Sequence, residues 1–209
     1  MEVVNNKTEN PIRIYQEKFR NIDPEMAAVR SGCRYEDGVF TLRLMNRLVR
    51  LSFPDMKTSY EDGTKTADYI RILLARYVME GTAAQSSGRM LSFPEMPWGA
   101  VYEKAFRGRC INRMAGTYGY ALERFAKAME NIGAKEARDA RGRFFGGADA
   151  AYDIDFMPGL TIRALLWEAD EEFPAAAQIL FSDNFALAFT AEDMAVIGDV
   201  FLNAMKGRW

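Results

Sequence analysis

Two stretches near the C-terminus, "AAYDIDF" at 150–156 and "LTIRALLW" at 160–167, decide the fold class of this chain. In the first stretch, apolar side chains alternate with Asp153 and Asp155, a period of two that is typical of a β-strand. The second stretch is a short apolar run with the length of a buried strand. A further run, "ALAF" at 186–189, predicts another strand. The C-terminal third of the chain is therefore predicted to be rich in β-structure.

Helices and a hairpin precede these strands. Asn10 and Asp23 are each followed by a proline, which is a helix-start signal. Apolar alternation on both sides of Asn46-Arg47 predicts a β-hairpin. Helices and strands without regular alternation predict a single α+β domain over residues 1–209. Its predicted parts are N-terminal helices at 10–32, a hairpin region at 33–53, a mainly helical part at 66–145, strands at 150–189 and a closing helix at 190–206.

Several local predictions belong to the helical parts. Residues 66–81 form the clearest amphipathic helix. A longer helical stretch over 100–131 is predicted, with breaks at Gly108 and Gly116. The charged residues 134–143 predict either a short helix or a mobile loop. In the closing helix, Thr190 and Asp193 have the spacing of a capping box.

The composition excludes several classes of function. The chain has 209 residues, a net charge of −2 and no histidine. Without histidine, the Ser-His-Asp triad, the Cys-His pair and the HExxH zinc site are excluded. The cofactor is unknown and none is encoded by the sequence. The small net charge argues against nucleic acid and membrane partners. A polar N-terminus without a signal-peptide pattern, and two isolated cysteines, Cys33 and Cys110, favour a cytoplasmic location.

Acidic residues cluster in two places near the predicted strands. In "LLWEADEEF" at 165–173, four acidic residues follow Trp167 closely. In "GGADAAYDIDF" at 146–156, Asp149, Asp153 and Asp155 recur. If the two groups meet, they form a hard-cation site or a general acid–base pair. A solvated acidic turn and a solvent-facing strand edge are favoured, because metal ligands must converge from several places.

Basic residues cluster in "KAFRGRCINR" at 104–113, joined later by three arginines at 138, 141 and 143. Guanidinium groups near glycines hold phosphate or carboxylate groups in many proteins. This chain has neither of the two glycine-rich nucleotide fingerprints, GxxxxGK[ST] and GxGxxG. A solvated or acid-paired face is therefore the favoured interpretation.

The hexapeptides "LSFPDM" at 51–56 and "LSFPEM" at 91–96 are nearly identical. Their flanking residues differ, so they do not indicate a repeated structural unit. Both contain Ser-x-x-acid, which is a helix-start signature. We predict that the first copy makes one turn after a strand and that the second introduces the helix after Trp98.

The order of several motifs resembles a family of uncharacterised bacterial proteins, domain of unknown function 3786. The motifs are "SFPEM", "YEKAFRGR", "GGADA", "PGLTIRALLWEADEEFPAAAQILF" and "TAEDMAVIG". The most specific part lies at 165–181, and the resemblance covers the chain from about Tyr15 to Met205. It implies a protein of anaerobic bacteria that is accessory to corrinoid or iron–sulfur metabolism. Two isolated cysteines cannot hold a cluster that needs about four thiolates, so a redox role would depend on a partner.

We therefore predict a cytoplasmic ligand- or partner-binding module whose partner is an unknown small ligand or protein. One alternative is a carboxylate-based metal-dependent enzyme. The other is a homo-oligomeric structural protein in which "FALAF" at 185–189 or the last helix faces another copy. No catalytic or metal-ligating residue is assigned. The candidate ligand-binding residues are Trp98, Tyr102, Arg107, Asp149, Trp167, Asp170, Glu171 and Glu172.

Overall fold

The computed structural model describes residues 11–81 and 85–209. The predicted cap at Asn10 and part of the loop at 82–88 lie outside the described residues. The predicted α+β class is confirmed, with helices packed on two antiparallel sheets. The α-helices are α1 (Pro11–Arg20), α2 (Pro24–Ser31), α3 (Asp68–Glu80), α4 (Gly99–Phe106), α5 (Asn112–Tyr118), α6 (Leu122–Asn131) and α7 (Ala191–Ala204). The strands are β1 (Arg34–Glu36), β2 (Val39–Leu44), β3 (Arg47–Ser52), β4 (Thr58–Tyr60), β5 (Met90–Ser92), β6 (Lys135–Glu136), β7 (Ala150–Met157), β8 (Leu160–Trp167) and β9 (Ala176–Ser182).

The first sheet is an antiparallel meander in the order β1-β2-β3-β4. Asp37 and Gly38, with φ of 50° and 75°, make the tight turn between β1 and β2. Met45 and Asn46 join β2 to β3, so the predicted hairpin is present with its turn one residue earlier. Met45 has a φ of 53°, and two-residue hairpin turns need such left-handed positions.

The second sheet has the order β5-β9-β8-β7-β6 and is also antiparallel. The predicted strands at 150–156 and 160–167 are confirmed as β7 and β8, and Asp153 lies opposite Arg163. Ile154 and Ile162 face the main core, which runs continuously from α1 to α7. The opposite face carries a smaller cluster around Leu165.

Helices cover the core face of the second sheet. A π-helical segment, Arg107–Ile111, joins α4 to α5 without a break. This continuous helix lies against β8 and β9, and α6 lies against β7. The closing helix α7 packs on α4 and on the π-helical segment. The predicted Thr190–Asp193 capping box at its start is confirmed.

Two local predictions are wrong, the strand at 186–189 and the breaks within the helical stretch. The "ALAF" run is a 3-10 turn, Asp183–Leu187, leading into the core residue Phe189, and β9 forms the strand before it. The helical stretch predicted to reach Asn131 does end there. The charged stretch that follows, predicted as a short helix or a loop, contains β6 and a turn whose backbone N–H groups donate to the carboxylate of Asp139. The helical stretch is interrupted after Tyr118, at Gly119, and not at Gly108 or Gly116.

Candidate functional site

Trp98 and Tyr102 lie together at the start of α4. Trp98 is 80% exposed and has a φ of 65°, a strained conformation for a bulky residue. A cavity of about 340 Å³ separates this part of α4 from the first turn of α7, and Trp98, Tyr102 and Glu192 contribute to its lining. Gly99 is required here, because a Cβ would lie 1.8 Å from the carbonyl oxygen of Phe93. These two predicted site residues therefore share one exposed aromatic surface.

The second hexapeptide precedes this surface. The backbone N–H and the hydroxyl of Ser92 donate to the carboxylate of Glu95 over 2.7 and 2.6 Å. These bonds lower the pKa of Glu95. The pair encloses a 3-10 turn, Phe93–Glu95, and α4 begins four residues later at Gly99. The first hexapeptide differs, since Asp55 pairs with Lys57 and the Ser52 hydroxyl accepts from the Lys57 N–H.

Arg107 lies further along the helix, in the π-helical segment. Its guanidinium pairs with Glu103 over 3.2 Å. It lines a separate cavity of about 160 Å³ between the helix and β9. The structure therefore places Arg107 apart from the cavity of Trp98 and Tyr102.

Asp149 and Trp167 lie at adjacent ends of β7 and β8. The carboxylate of Asp149 accepts a hydrogen bond of 2.8 Å from the backbone N–H of Glu168. Trp167 lies on the outer face of the sheet, half-buried, and packs on the small cluster that contains Leu165. The expectation that Trp167 continues the buried strand is therefore corrected: its side chain points away from the main core.

Asp170 organises the loop that follows β8. Its carboxylate accepts hydrogen bonds from the backbone N–H groups of Glu172 and Phe173, at 2.8 and 2.6 Å. Glu171 and Glu172 are exposed. In the other acidic group, Asp153 forms a two-pronged ion pair with Arg163. The carboxylates of Asp149, Asp153 and Asp170 are thus occupied by local partners. The described residues contain no group of three acidic or thiol side chains arranged to hold a metal ion.

The eight predicted residues do not converge on one point. The N–H of Ala169 donates to the carbonyl of Gly119, which places the acidic loop beside the end of α5. Trp98 lies at the opposite end of the same continuous helix. Twenty residues of helix span about 30 Å. The predicted set therefore divides into an aromatic surface, a separate arginine and an acidic strand end.

The basic residues singled out in the sequence are mostly paired with acids. Arg109 and Arg113 both bind Asp199 on α7, the second at 3.2 Å. Arg138 and Arg143 pair with acidic neighbours close in sequence. The interpretation as an acid-paired face holds for these four arginines.

A cavity that sequence reasoning missed lies between α6 and the residues after α7. Its volume is about 530 Å³. Arg124 and Lys127 line it from α6, and Lys206 and Arg208 line it from the C-terminal segment. None of these four cations forms an ion pair with any residue in the described part of the chain. We call this cavity, with its four cations, the cationic pocket.

Local structure places the C-terminal wall of the cationic pocket. The N–H groups of Gly207 and Arg208 donate to the carbonyls of Ala204 and Asn203, which ends α7 in a Schellman motif. Gly207 has a φ of 70°, as this motif requires. Trp209 then packs edge-on against Tyr60 in the first sheet, with ring centroids 6.1 Å apart. The segment is thereby attached to the body of the protein.

The pKa values around the cationic pocket reflect crowding of positive charge. Partial burial lowers the pKa of Lys206, and the nearby Arg113, Arg208 and Arg124 lower it further. Burial raises the pKa of Tyr118 in the pocket floor, while Arg124 and Arg113 oppose that rise. Arg113 itself pairs with Asp199, whereas the four cations of the pocket have no ion-pair partner among the described residues. The pocket therefore carries uncompensated positive charge.

Only weak signals for this pocket exist in the sequence. Arg124, Lys127 and Asn131 have the spacing of one helix face. Lys206 and Arg208 flank a glycine that follows a predicted helix. About eighty residues separate the two groups, and no local pattern shows that they meet.

Comparison with known proteins identifies a family. The family described as domain of unknown function (DUF3786) matches residues 23–204, most of the chain. The chain belongs to this family. No curated protein and no solved structure matches it.

The DUF3786 match includes all of α6 and α7, and it stops before Lys206. One wall of the cationic pocket thus lies within the family region and the other lies just beyond it. No described helix of this DUF3786 protein is long and apolar enough to cross a membrane.

Proposed function

We propose that this protein is a ligand-binding module whose binding site is the cationic pocket and whose ligand is a small anion. The observation that carries the proposal is the set of four unpaired cations around one cavity of about 530 Å³. This volume lies within the range of small-molecule sites, about 300–1,000 Å³. A concave site lined by one sign of charge concentrates ligands of the opposite sign.

Cations near the ends of helices also have a structural explanation. Lys206 follows the end of α7, where positive charge complements the helix dipole. The last turn of α6 contains no basic residue, so Lys127 has no such role. Each such charge contributes about 0.3–1 kcal/mol. This effect accounts for Lys206 alone. It does not account for the additional presence of Arg124 and Arg208, whose positive charge lowers the pKa of Lys206.

A bound anion removes this mutual repulsion. Guanidinium groups bind phosphate and carboxylate through charge-assisted hydrogen bonds, which contribute about 1.5–3 kcal/mol each. Arg124 and Arg208 approach the cavity from opposite walls, so one ligand would contact both. The geometry therefore supports binding and does not by itself assign a reaction. The association with corrinoid or iron–sulfur metabolism, the cytoplasmic location and the single-domain organisation stay predictions.

Isothermal titration calorimetry with pyrophosphate at low ionic strength tests the proposal. We expect saturable binding that weakens as salt is added. The double variant Arg124→Gln with Lys127→Gln should weaken binding by at least about tenfold, since it removes two charged donors.

The charge-matched control is Lys104→Gln with Arg141→Gln. Both residues are exposed and lie outside the lining of the cationic pocket. The control should bind within about twofold of the wild type, because exposed charges far from the site are screened. The pocket variant should unfold at a urea concentration no lower than the wild type, since it relieves repulsion. Equal affinity in the two double variants, or no saturable binding by the wild type, contradicts the proposed function.

A further inference from the structure

The floor of the cationic pocket is apolar while its rim is charged. Tyr118, Ala128, Ala204 and Met205 line the cavity, and each is at most 7% exposed. They belong to the main core and present only a small part of their surface to the cavity. Lys206, by contrast, is exposed at the rim. A ligand that fits both regions has an apolar body directed inward and an anionic group at the mouth.

The number of cations distinguishes between anionic groups. A carboxylate carries one negative charge, whereas a phosphate ester carries about 1.5 to 2 at neutral pH and offers three acceptor oxygens. Arg124, Lys127, Lys206 and Arg208 supply four positive charges, two from each wall. A phosphate at the mouth accepts hydrogen bonds from both walls at once. Charge balance therefore favours a phosphate ester over a monocarboxylate.

Trp209 gives the cavity an aromatic wall. Its ring is held by the edge-on contact with Tyr60 and lies 5.5 Å from the Arg47 guanidinium. Arg47 itself pairs with Asp62 and lies 3.8 Å from the centre of the Tyr60 ring. A tryptophan held in this way is a stacking surface that loses little conformational freedom when a flat group binds.

We propose, on the basis of the proposed function, that the ligand of the cationic pocket is a phosphate ester carried on a flat aromatic body. The aromatic body lies on the apolar floor against Trp209. The phosphate lies at the rim between Arg124 and Lys127 on one side and Lys206 and Arg208 on the other. The inference concerns binding and requires no chemical step.

Three small probes separate the parts of this inference. 2-Naphthyl phosphate and methyl phosphate carry the same dianion and differ in the flat body, while 2-naphthoate keeps the flat body and has a single charge. We expect calorimetry on the full chain to give a Kd for 2-naphthyl phosphate that is about tenfold or more below that for methyl phosphate. Stacking of a flat group on an aromatic residue contributes enough binding free energy for such a difference. 2-Naphthoate should bind several-fold more weakly than 2-naphthyl phosphate, since it lacks the second charge.

Variants at Trp209 locate the aromatic contact. Trp209→Leu should weaken the binding of 2-naphthyl phosphate by about tenfold and leave the binding of methyl phosphate unchanged. Trp209→Phe should retain most of the affinity for 2-naphthyl phosphate. Trp98→Leu is the matched control, because Trp98 lies in a different cavity and should affect neither probe. Circular dichroism melts establish that each variant is folded. If Trp209→Leu unfolds, the ratio of the Kd values for 2-naphthyl phosphate and methyl phosphate in the wild-type protein still decides whether the flat body contributes.

The possible outcomes separate the two proposals. Suppose that 2-naphthyl phosphate and methyl phosphate bind equally well and that both bind more weakly to the Arg124→Gln, Lys127→Gln variant. The assignment of an aromatic body to the ligand is then overturned, while the proposed function stands. Equal binding of 2-naphthoate and 2-naphthyl phosphate overturns the phosphate assignment alone. If no probe and no pyrophosphate binds, both proposals fail.

Discussion

Substitution of Gly198 tests how α7 is positioned against the π-helical segment. A Cβ at Gly198 would lie 2.6 Å from the Sγ of Cys110 and 2.9 Å from Cε2 of Phe106. Both neighbours are buried, and Phe106 stacks on Phe93 with ring centroids 4.1 Å apart, so it has little room to move. Overpacking a filled core costs about 1–3 kcal/mol. Replacing a helical glycine by alanine stabilises by about 1 kcal/mol.

Because two neighbours lie under 3.0 Å, the overpacking cost falls in the upper part of this range, about 2–3 kcal/mol, and the balance predicts that Gly198→Ala lowers the free energy of unfolding by about 1–2 kcal/mol. For a chain of this size, each kcal/mol corresponds to about 2–4 °C in Tm. Urea denaturation measures the cost directly. The matched background is Cys110→Ala, which removes Sγ and leaves Cβ at 3.5 Å from the added methyl group, an ordinary contact. Gly198→Ala should cost about 0.5 kcal/mol less in that background. An unchanged or raised stability of Gly198→Ala, or an identical cost in both backgrounds, would refute this account of the packing.

Four further predictions concern single residues. Trp167→Ala should lower the free energy of unfolding, measured in urea, by about 2 kcal/mol. This is less than the loss for a fully buried aromatic residue, because the Trp167 ring is half-buried on the outer face of the second sheet. A loss above about 4 kcal/mol would instead place Trp167 in a core. Ser92→Ala should lower stability by about 1 kcal/mol, and Ser92→Asp should lower it further by facing the Glu95 carboxylate; recovery in the aspartate variant would contradict the observed donor role of the hydroxyl. Burial raises the pKa of Cys33 to about 11 and that of Cys110 to about 12. Both thiols should therefore react with a disulfide reagent at pH 8 only after urea is added. Fast labelling of the native protein would show an accessible thiolate and contradict this prediction. Because the pKa of Lys206 is lowered in the folded state, the unfolded chain binds more protons just below pH 10.5, and the contribution of Lys206 to stability rises with pH. The stability of the wild type relative to Lys206→Gln should therefore increase between pH 7 and pH 10. A constant difference between the two proteins would contradict the lowered pKa.

The unpaired cations of the cationic pocket illustrate a common relation between stability and binding. Most arginines singled out by sequence, such as Arg109 and Arg138, meet a carboxylate in the fold. Arg124 and Lys127 do not meet one among the described residues. A site that keeps like charges together without a ligand is less stable than it would be if they were neutralised. Such a local cost is expected where function, and not folding, selects the residues.

Much of the fold follows from local signals in the sequence. Asp37-Gly38 predicts a tight turn because its backbone adopts left-handed angles easily, and that turn is present. The alternation around Asp153 predicts β7, because a strand with one buried face repeats every two residues. The capping box of Thr190 and Asp193 predicts the start of α7, because the two side chains accept hydrogen bonds from backbone N–H groups within the first helical turn. These signals act over a few residues, and the helix at 66–81 belongs with them.

Other features depend on contacts between distant residues. The apolar run at 186–189 has the composition of a strand, but the hydrophobic core takes up Phe189 from a 3-10 turn. The π-helical segment has no sequence signature, and it appears where Cys110 meets Gly198 on a helix that lies almost ninety residues later. Trp167 ends an apolar run, yet its position in the strand directs the ring to the outer face. For the run at 186–189, packing with distant residues overrides the local pattern.

The sequence by itself determined the α+β class, most of the helices and strands, the family and the exclusion of histidine-dependent chemistry, because these depend on composition and on short periodic patterns. Only the tertiary structure decided the place of the candidate site. It separates Trp98 from Asp170 by the length of a helix, and it brings Arg124 to the same cavity as Arg208 from more than eighty residues away. The physical reason is that side chains converge through the packing of whole elements, and the spacing of residues along a chain carries no record of which elements meet.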